Sequence, residues 1–271
     1  MKMFAFDLDK TTLNSRGELS SVNYKILQAM LKKNVILIPA TGRNLEGIPN
    51  EILGLNIRYA IVSNGAMVID LLENKIIWQK TLSKAELKQV ICMLSKDKIA
   101  FTIHTDDKCF DSTIMQVVIR RLLFKNSSVF FPNLKSGIKK LDNINKIQLI
   151  FLSKKHLQKV YNVLSEIDVI HVVKSSKHCI EITHREANKG NALKFLSDYL
   201  GVDRGEIVSI GDNDNDIEML QFSGTSYVVL NSSDTVKIIA DYVVSSNDDH
   251  ALKDIISVSY THLTLPTTPY V

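Results

Sequence analysis

Apolar residues fall in short unbroken runs separated by stretches of helical spacing. Met3 to Phe6, Val35 to Ile38, Ile57 to Val62 and Ile207 to Ile210 are such runs. A short apolar run bounded by polar residues fits a strand covered on both faces. After the first run, Tyr24, Leu27, Met30 and Leu31 recur at helical spacing, with Ser20 or Ser21 placed to cap the helix and Asn34 to close it. Met67 to Ile69 and Lys75 to Trp78 flank Leu72-Glu73-Asn74, which predicts a hairpin. Strand, helix, strand in this rhythm predicts a parallel sheet with right-handed crossovers.

The texture changes near Ser83. Helices are predicted over Ser83 to Leu94, Ile114 to Phe124 and His156 to Leu164. Strands are predicted at Ala100 to His104, Ile147 to Leu152, Val169 to Val173 and Cys179 to Ile182, while Lys125 to Asn145 shows no readable period. The parallel rhythm returns at Asn188: Leu193, Leu196 and Leu200 mark a helix face that Gly201 stops. After Ile207 to Ile210 come a strand at Tyr227 to Leu230, a helix near Asp234 to Ala240, a strand at Tyr242 to Val244 and a helix near His250 to Ile256. The expected fold class is α/β, a Rossmann-like parallel-sheet core with an inserted α+β cap. Residues 1–82 and 187–257 would form the core and 83–186 the cap. Val258 to Val271 holds four threonines, two prolines and no Asp, Glu, Lys or Arg. It reads as a non-native or disordered tail.

Composition narrows the setting. The 271 residues are 45% hydrophobic and 23% charged, enough for two ordinary domains with ample core. No apolar stretch reaches membrane-spanning length. Cys92, Cys109 and Cys179 are odd in number and widely spaced, as in a reducing cytoplasm rather than a disulfide frame or zinc site. Ser83 to Glu186 carries 18 Lys and Arg against 10 Asp and Glu, and the rest of the chain 15 against 19. Charge spread this thinly reads as a solvated surface. No basic block is interleaved with aromatics, so nucleic acid is not an expected partner.

Four polar clusters follow the carboxyl ends of predicted parallel strands, the edge where open α/β sheets bind ligands. They are Asp7 and Asp9, Thr41-Gly42-Arg43, Asn64-Gly65, and Asp212 to Asp216. Lys189 opens a helix and is placed to reach the same edge. Asp7 and Asp9 start out on one side of their strand, and two such charges repel unless a cation lies between them. Taken alone, they also read as a polar strand end and a turn. Thr41 can equally cap a helix, Asn64-Gly65 can be a tight turn, and Lys189 can lie on the surface. Asp212 to Asp216 opens like a calcium loop. That reading fails, because Ile217 stands where glycine is needed and Ser223 where glutamate is needed.

Together the clusters resemble the haloacid dehalogenase-like phosphatases, specifically their Cof-like branch with a large α/β cap. Asp7, Asp9 and Thr11 match Asp-x-Asp-x-Thr, and Thr41 matches the second motif. Asn64-Gly65-Ala66 matches the branch, Lys189-Gly190 the third motif, and Gly211, Asp212, Asn215 and Asp216 the fourth. The resemblance covers about residues 1 to 257. Lys10 and Thr12 depart from the usual residues, and neither removes a catalytic group.

The resemblance implies a phosphohydrolase for small phosphomonoesters, a sugar phosphate or a phosphorylated cofactor. Asp7 would be the nucleophile and Asp9 the general acid and base. Mg²⁺ would be held by Asp7, the carbonyl of Asp9 and Asp212, with Asp216 orienting its shell. Thr41, the amides of Leu8 and Gly42, Lys189 and Asn215 would hold the phosphoryl oxygens, with Arg43 and Asn64 near the substrate. It implies a cytoplasmic monomer or weak dimer with no membrane or nucleic-acid partner. The alternatives are a phosphotransferase or mutase on the same fold and a non-catalytic phospho-ligand-binding protein.

Overall fold

The computed structural model describes residues 1–96, 99–106, 108–118, 129–130 and 141–255. In chain order the strands of the first half are β1 (Met3–Phe6), β2 (Ile36–Pro39), β3 (Tyr59–Val62), β4 (Met67–Asp70), β5 (Lys75–Gln79), β6 (Phe101–His104) and β7 (Cys109–Asp111). The remaining strands are β8 (Val129–Phe130), β9 (Lys146–Ile150), β10 (Ile170–Ser176), β11 (Cys179–His184), β12 (Ile207–Gly211), β13 (Thr225–Val229) and β14 (Tyr242–Val244). The helices are α1 (Ser21–Lys32), α2 (Asn50–Leu53), α3 (Lys84–Lys96), α4 (Lys154–Ser165), α5 (Lys189–Leu200), α6 (Ile217–Phe222) and α7 (Asp234–Lys237). Residues 114–118 are also helical, and the rest of the helix expected to Phe124 lies outside the described residues, as does the tail from Val258.

The core sheet is parallel, in the order β14-β13-β12-β1-β2. A parallel bridge from Ala40 to Ile61 joins it to β3, which continues antiparallel into β4 and β5. All four residues of β1 are fully buried. Successive side chains point to opposite faces. Phe4 and Phe6 therefore pack with Leu27 and Met30 of α1, while Met3 and Ala5 pack with Ala192, Leu193 and Leu196 of α5. Burying each Phe ring contributes about 1.5–3 kcal/mol. The same strand is thus fixed from both sides, which holds the loop at its carboxyl end. The caps fall as expected: the Ser20 hydroxyl accepts from the Asn23 amide, and Gly201 closes α5 at φ 62°.

The inserted sheet has the order β10-β11-β9-β6-β7-β8 and is antiparallel apart from the β7–β8 pair. Its period is two. Ile103, Ile147, Leu149, Ile180 and Ile182 pack on one face against Leu87, Val90, Ile91 and Leu94 of α3 and Leu157, Val160 and Leu164 of α4. Lys146, Gln148, Glu181 and Thr183 alternate with these residues and take the other face. Strands β7 and β8 and the short α6 were not expected from the sequence. Elements of two to six residues are too short to show a period.

Candidate active site

Asp7 follows the last residue of β1, and its amide donates to the carbonyl of Ile210 on β12 at 3.0 Å. The chain then turns over Leu8–Thr12, with Asp9 extended and Lys10 left-handed at φ 59°, and the Leu13 amide closes the turn on the Leu8 carbonyl at 2.9 Å. On the neighbouring strand, Gly211 opens the acidic loop. A Cβ on Gly211 would lie 2.6 Å from the Asp216 side chain, which folds back over it. Asp216 Oδ2 accepts from the amides of Asp212 at 3.0 Å and Asn213 at 3.2 Å, and so fixes the loop that carries it.

These two loops bring Asp7, Asp212 and Asp216 together, with one carboxylate oxygen from each within 4.8 Å of the other two. Lys189, in the first turn of α5, is fully buried beneath them. Its Nζ donates to Asp7 Oδ1 and Asp216 Oδ1, each at 2.6 Å. Asn188 sets that position by capping α5, its Oδ1 accepting from the Asn191 amide at 2.8 Å. Thr11 adds a hydroxyl to Asp212 Oδ1 at 3.3 Å.

Three carboxylates surround one lysine, and the proton affinities of Asp7 and Asp212 show the strain. Burial pushes the Asp7 carboxyl well up, Asp216 and Asp212 push it further, and Lys189 opposes them. Burial and then Asp216 push Asp212 up to about 7. Burial works against the charge on Lys189, but Asp216 and Asp7 outweigh it and raise that group. A hard divalent cation with oxygen ligands fits this donor set, because it supplies the missing positive charge.

The phosphate-binding candidates form an adjoining group. Thr41 is fully buried, and its Oγ1 accepts from the Arg43 amide at 3.1 Å. Arg43 forks onto Asp9, Nε to Oδ2 at 2.9 Å and Nη2 to Oδ1 at 2.6 Å, so the Asp9 carboxylate stands outside the three-carboxylate cluster. The bond to Asp9 is the main reason the Arg43 guanidinium is held above its ordinary value. Asn215 Nδ2 donates to Asn64 Oδ1 at 3.0 Å, which ties the fourth cluster to the Asn64-Gly65 turn.

Two residues at this site escaped the sequence reading. Lys146 on β9 and Glu181 on β11 form a buried pair at 3.0 Å. Lys146 Nζ donates to the Gly42 carbonyl at 2.8 Å, and Asn64 Nδ2 donates to Glu181 Oε2. The polar face of the inserted sheet therefore rests on the phosphate-binding loops. The alternation Lys-Ile-Gln-Leu and Cys-Ile-Glu-Ile-Thr was the available signal, since it marks one polar face on adjacent strands.

Comparison with known proteins agrees with this arrangement. Residues 4–256 match the model of the haloacid dehalogenase-like hydrolase family. The chain belongs to that family. It is an enzyme, a hydrolase of the Cof-like branch. Phosphatase YwpJ of Bacillus subtilis is 25% identical over 279 residues, covering 93% of this chain and 97% of that protein. The 5-amino-6-(5-phospho-D-ribitylamino)uracil phosphatase YwtE of the same organism is 26% identical over 277 residues, covering 93% and 96%. The solved structure of a haloacid dehalogenase-like hydrolase from B. subtilis superposes with a TM-score of 0.83 at 23% identity, covering 95% of this chain and 99% of that one. At that identity the likeness speaks for the fold. No helix among the described residues is long and apolar enough to cross a membrane.

Proposed function

We propose that this hydrolase is a Mg²⁺-dependent phosphatase of small phosphomonoesters that works through an aspartyl-phosphate on Asp7. The observation that carries the reading is the site at the end of β1. Lys189 takes Oδ1 of Asp7, two further carboxylates lie beside it, and the second Asp7 oxygen is left for attack. The relatives named as phosphatases support it.

Oδ2 of Asp7 attacks phosphorus and the bond to the leaving oxygen breaks, which splits one hard step into two. Asp9 leaves its Arg43 fork, takes a proton from solvent and gives it to that oxygen. It then takes a proton from the water that attacks the aspartyl-phosphate, which frees inorganic phosphate and Asp7. Thr41, the amides of Leu8 and Gly42, Lys189 and Asn215 hold the phosphoryl oxygens. Asp7, the Asp9 carbonyl and Asp212, with Asp216 beside them, would hold Mg²⁺, which would supply the positive charge that lets two anions approach.

Residues 1–82 and 187–257 are taken as the catalytic core and 83–186 as the cap that covers it and selects the substrate. The reading places the enzyme in the cytoplasm as a monomer or weak dimer. Three cysteines with no disulfide among the described residues fit a reducing compartment. The test is phosphate release over a panel of phosphorylated metabolites with and without Mg²⁺. Turnover that requires Mg²⁺ is expected, and full activity in excess chelator would count against the reading.

A further inference from the structure

We propose that Glu181, on the cap, is a positioning residue for the phosphoryl site and acts through Asn64 on Asn215. The proposal rests on the phosphatase reading above.

Asn64 stands where the core loops meet. Ser63, Asn64 and Gly65 take φ of 52°, 57° and 85°, three left-handed residues in succession. For Ser and Asn such a backbone costs roughly 1–3 kcal/mol each and persists only where its surroundings fix it. Here the Ser63 amide donates to the Arg43 carbonyl at 2.8 Å and the Asn64 amide to the Thr41 carbonyl at 3.0 Å. The Asn64 side chain lies against Gly42, where a Cβ would come 2.7 Å from its Oδ1. The turn that carries Asn64 thus grips the Thr41-Gly42-Arg43 loop.

Hydrogen-bond polarity makes Glu181 the determinant. An ionised carboxylate only accepts. Glu181 Oε1 takes Lys146 Nζ at 3.0 Å and Gln148 Nε2 at 3.3 Å, and its Oε2 takes Asn64 Nδ2. Asn64 must therefore turn its amide nitrogen to the cap and its oxygen to Asn215. That oxygen accepts one N–H of Asn215 at 3.0 Å. The second N–H of Asn215 is left for a phosphoryl oxygen, which also only accepts. Without Glu181 both amides have two orientations open to them, and only one keeps a donor where Asn215 Nδ2 stands. Glu181 lies 117 residues from Asn64 in the chain, on a different sheet. Seating the cap and setting the polarity of the phosphoryl site are then one event.

The test uses the full chain with p-nitrophenyl phosphate and Mg²⁺, a substrate whose leaving group asks little of the cap. The variants are Glu181→Ala, Glu181→Gln, Asn64→Ala and the double Glu181→Ala/Asn64→Ala, with kcat, KM, the inhibition constant of inorganic phosphate and the melting midpoint read for each. Loss of an outer partner that orients an inner group costs roughly 10–100-fold. Each alanine variant is expected to lose kcat within that range, and phosphate inhibition weakens with it. The double variant is expected to be no worse than the poorer single, because both cut one chain of bonds. Glu181→Gln has one oxygen for these donors; with that oxygen on Asn64 and Lys146 still held by the Gly42 carbonyl, it should recover part of the loss. Wild-type kcat in Glu181→Ala, losses that multiply in the double, or a glutamine variant as poor as the alanine would each overturn the proposal. If Asn64→Ala does not fold, the comparison of Ala with Gln at Glu181 decides alone. If the wild type shows no turnover, the phosphatase reading fails instead. The inference is then read from direct binding of inorganic phosphate: weaker in Glu181→Ala and partly restored in Glu181→Gln supports it, and equal affinity contradicts it.

Discussion

Lys189 in the core and Lys146 in the cap are both buried, and both face carboxylates. Lys189 meets Asp7 and Asp216, with Asp212 alongside. Among the described residues Lys146 meets one carboxylate, Glu181, and its other bond goes to a neutral carbonyl. The first cluster carries an excess of negative charge, and the second is balanced. A balanced buried pair can serve as a fixed contact between two surfaces. An unbalanced one is costly without a cation, so it marks the place where charge is to be moved. On the proposed mechanism the first cluster carries the chemistry and the second aligns it.

The largest expected effect is at the nucleophile. Asp7→Asn should lower kcat by on the order of 10⁴-fold or more, since an amide oxygen does not form the covalent intermediate. Steady-state phosphate release measures this. Activity within tenfold of wild type would remove Asp7 from that role. Next is Asp9→Asn. The expected loss is on the order of 10²–10⁴-fold on an alkyl phosphate, where the leaving oxygen needs a proton. It is smaller on p-nitrophenyl phosphate, whose leaving group needs little help. Equal losses on the two substrates would argue against proton transfer by Asp9.

The first of the two clusters was legible in the residues. Asp7, Asp9, Thr41, Asp212 and Asp216 sit where apolar runs end, so the periodicity that predicts the strands also places the site. Lys189 was found because Asn188 marks a helix start. Strand limits moved by a few residues, as from Ile57 to Tyr59 for β3, because the sequence shows hydrophobic runs and the ladder fixes the ends. Lys146 and Glu181 were not found. Lys146 opens its strand and Glu181 alternates with apolar neighbours inside its own, which is also how a solvent-facing strand reads. Their partners Gly42 and Asn64 lie 104 and 117 residues away, and no local pattern links them.

Stability sharpens the contrast further. Lys189→Met leaves Asp7 and Asp216 facing each other, and breaking a buried pair this way costs about 3–5 kcal/mol. Mg²⁺ should restore part of it. The double change Lys146→Met/Glu181→Leu removes both charges of the balanced pair but takes the partner from the Asn64 amide and the Gly42 carbonyl, so denaturant unfolding should show a loss of about 1–3 kcal/mol, below that of Lys189→Met. A loss as large as that of Lys189→Met would mean the second pair is not the simple contact described.

The smallest effect is in pH. Asp212 titrates near 7 in the folded chain against an ordinary 3.8. A carboxyl raised on folding costs stability once pH passes its unfolded value, and the cost is complete above the folded one. The metal-free protein should therefore lose stability between about pH 4 and pH 7. Mg²⁺ binds the ionised form, so it should raise the melting temperature more at pH 8 than at pH 5, by a few degrees. An equal rise at both pH values would show that the three-carboxylate cluster is not where Mg²⁺ acts.

The claim that the unbalanced cluster does the chemistry is tested most directly by trapping the intermediate. Wild type, Asp7→Asn and Asp9→Asn are mixed with ³²P-labelled substrate and Mg²⁺, quenched in acid, digested and read by mass spectrometry. The account predicts phosphate on Asp7 in the wild type, a longer-lived label on Asp7 in Asp9→Asn because the attacking water has lost its base, and none in Asp7→Asn. Label in Asp7→Asn, or label on any residue other than Asp7 in the wild type, would contradict it.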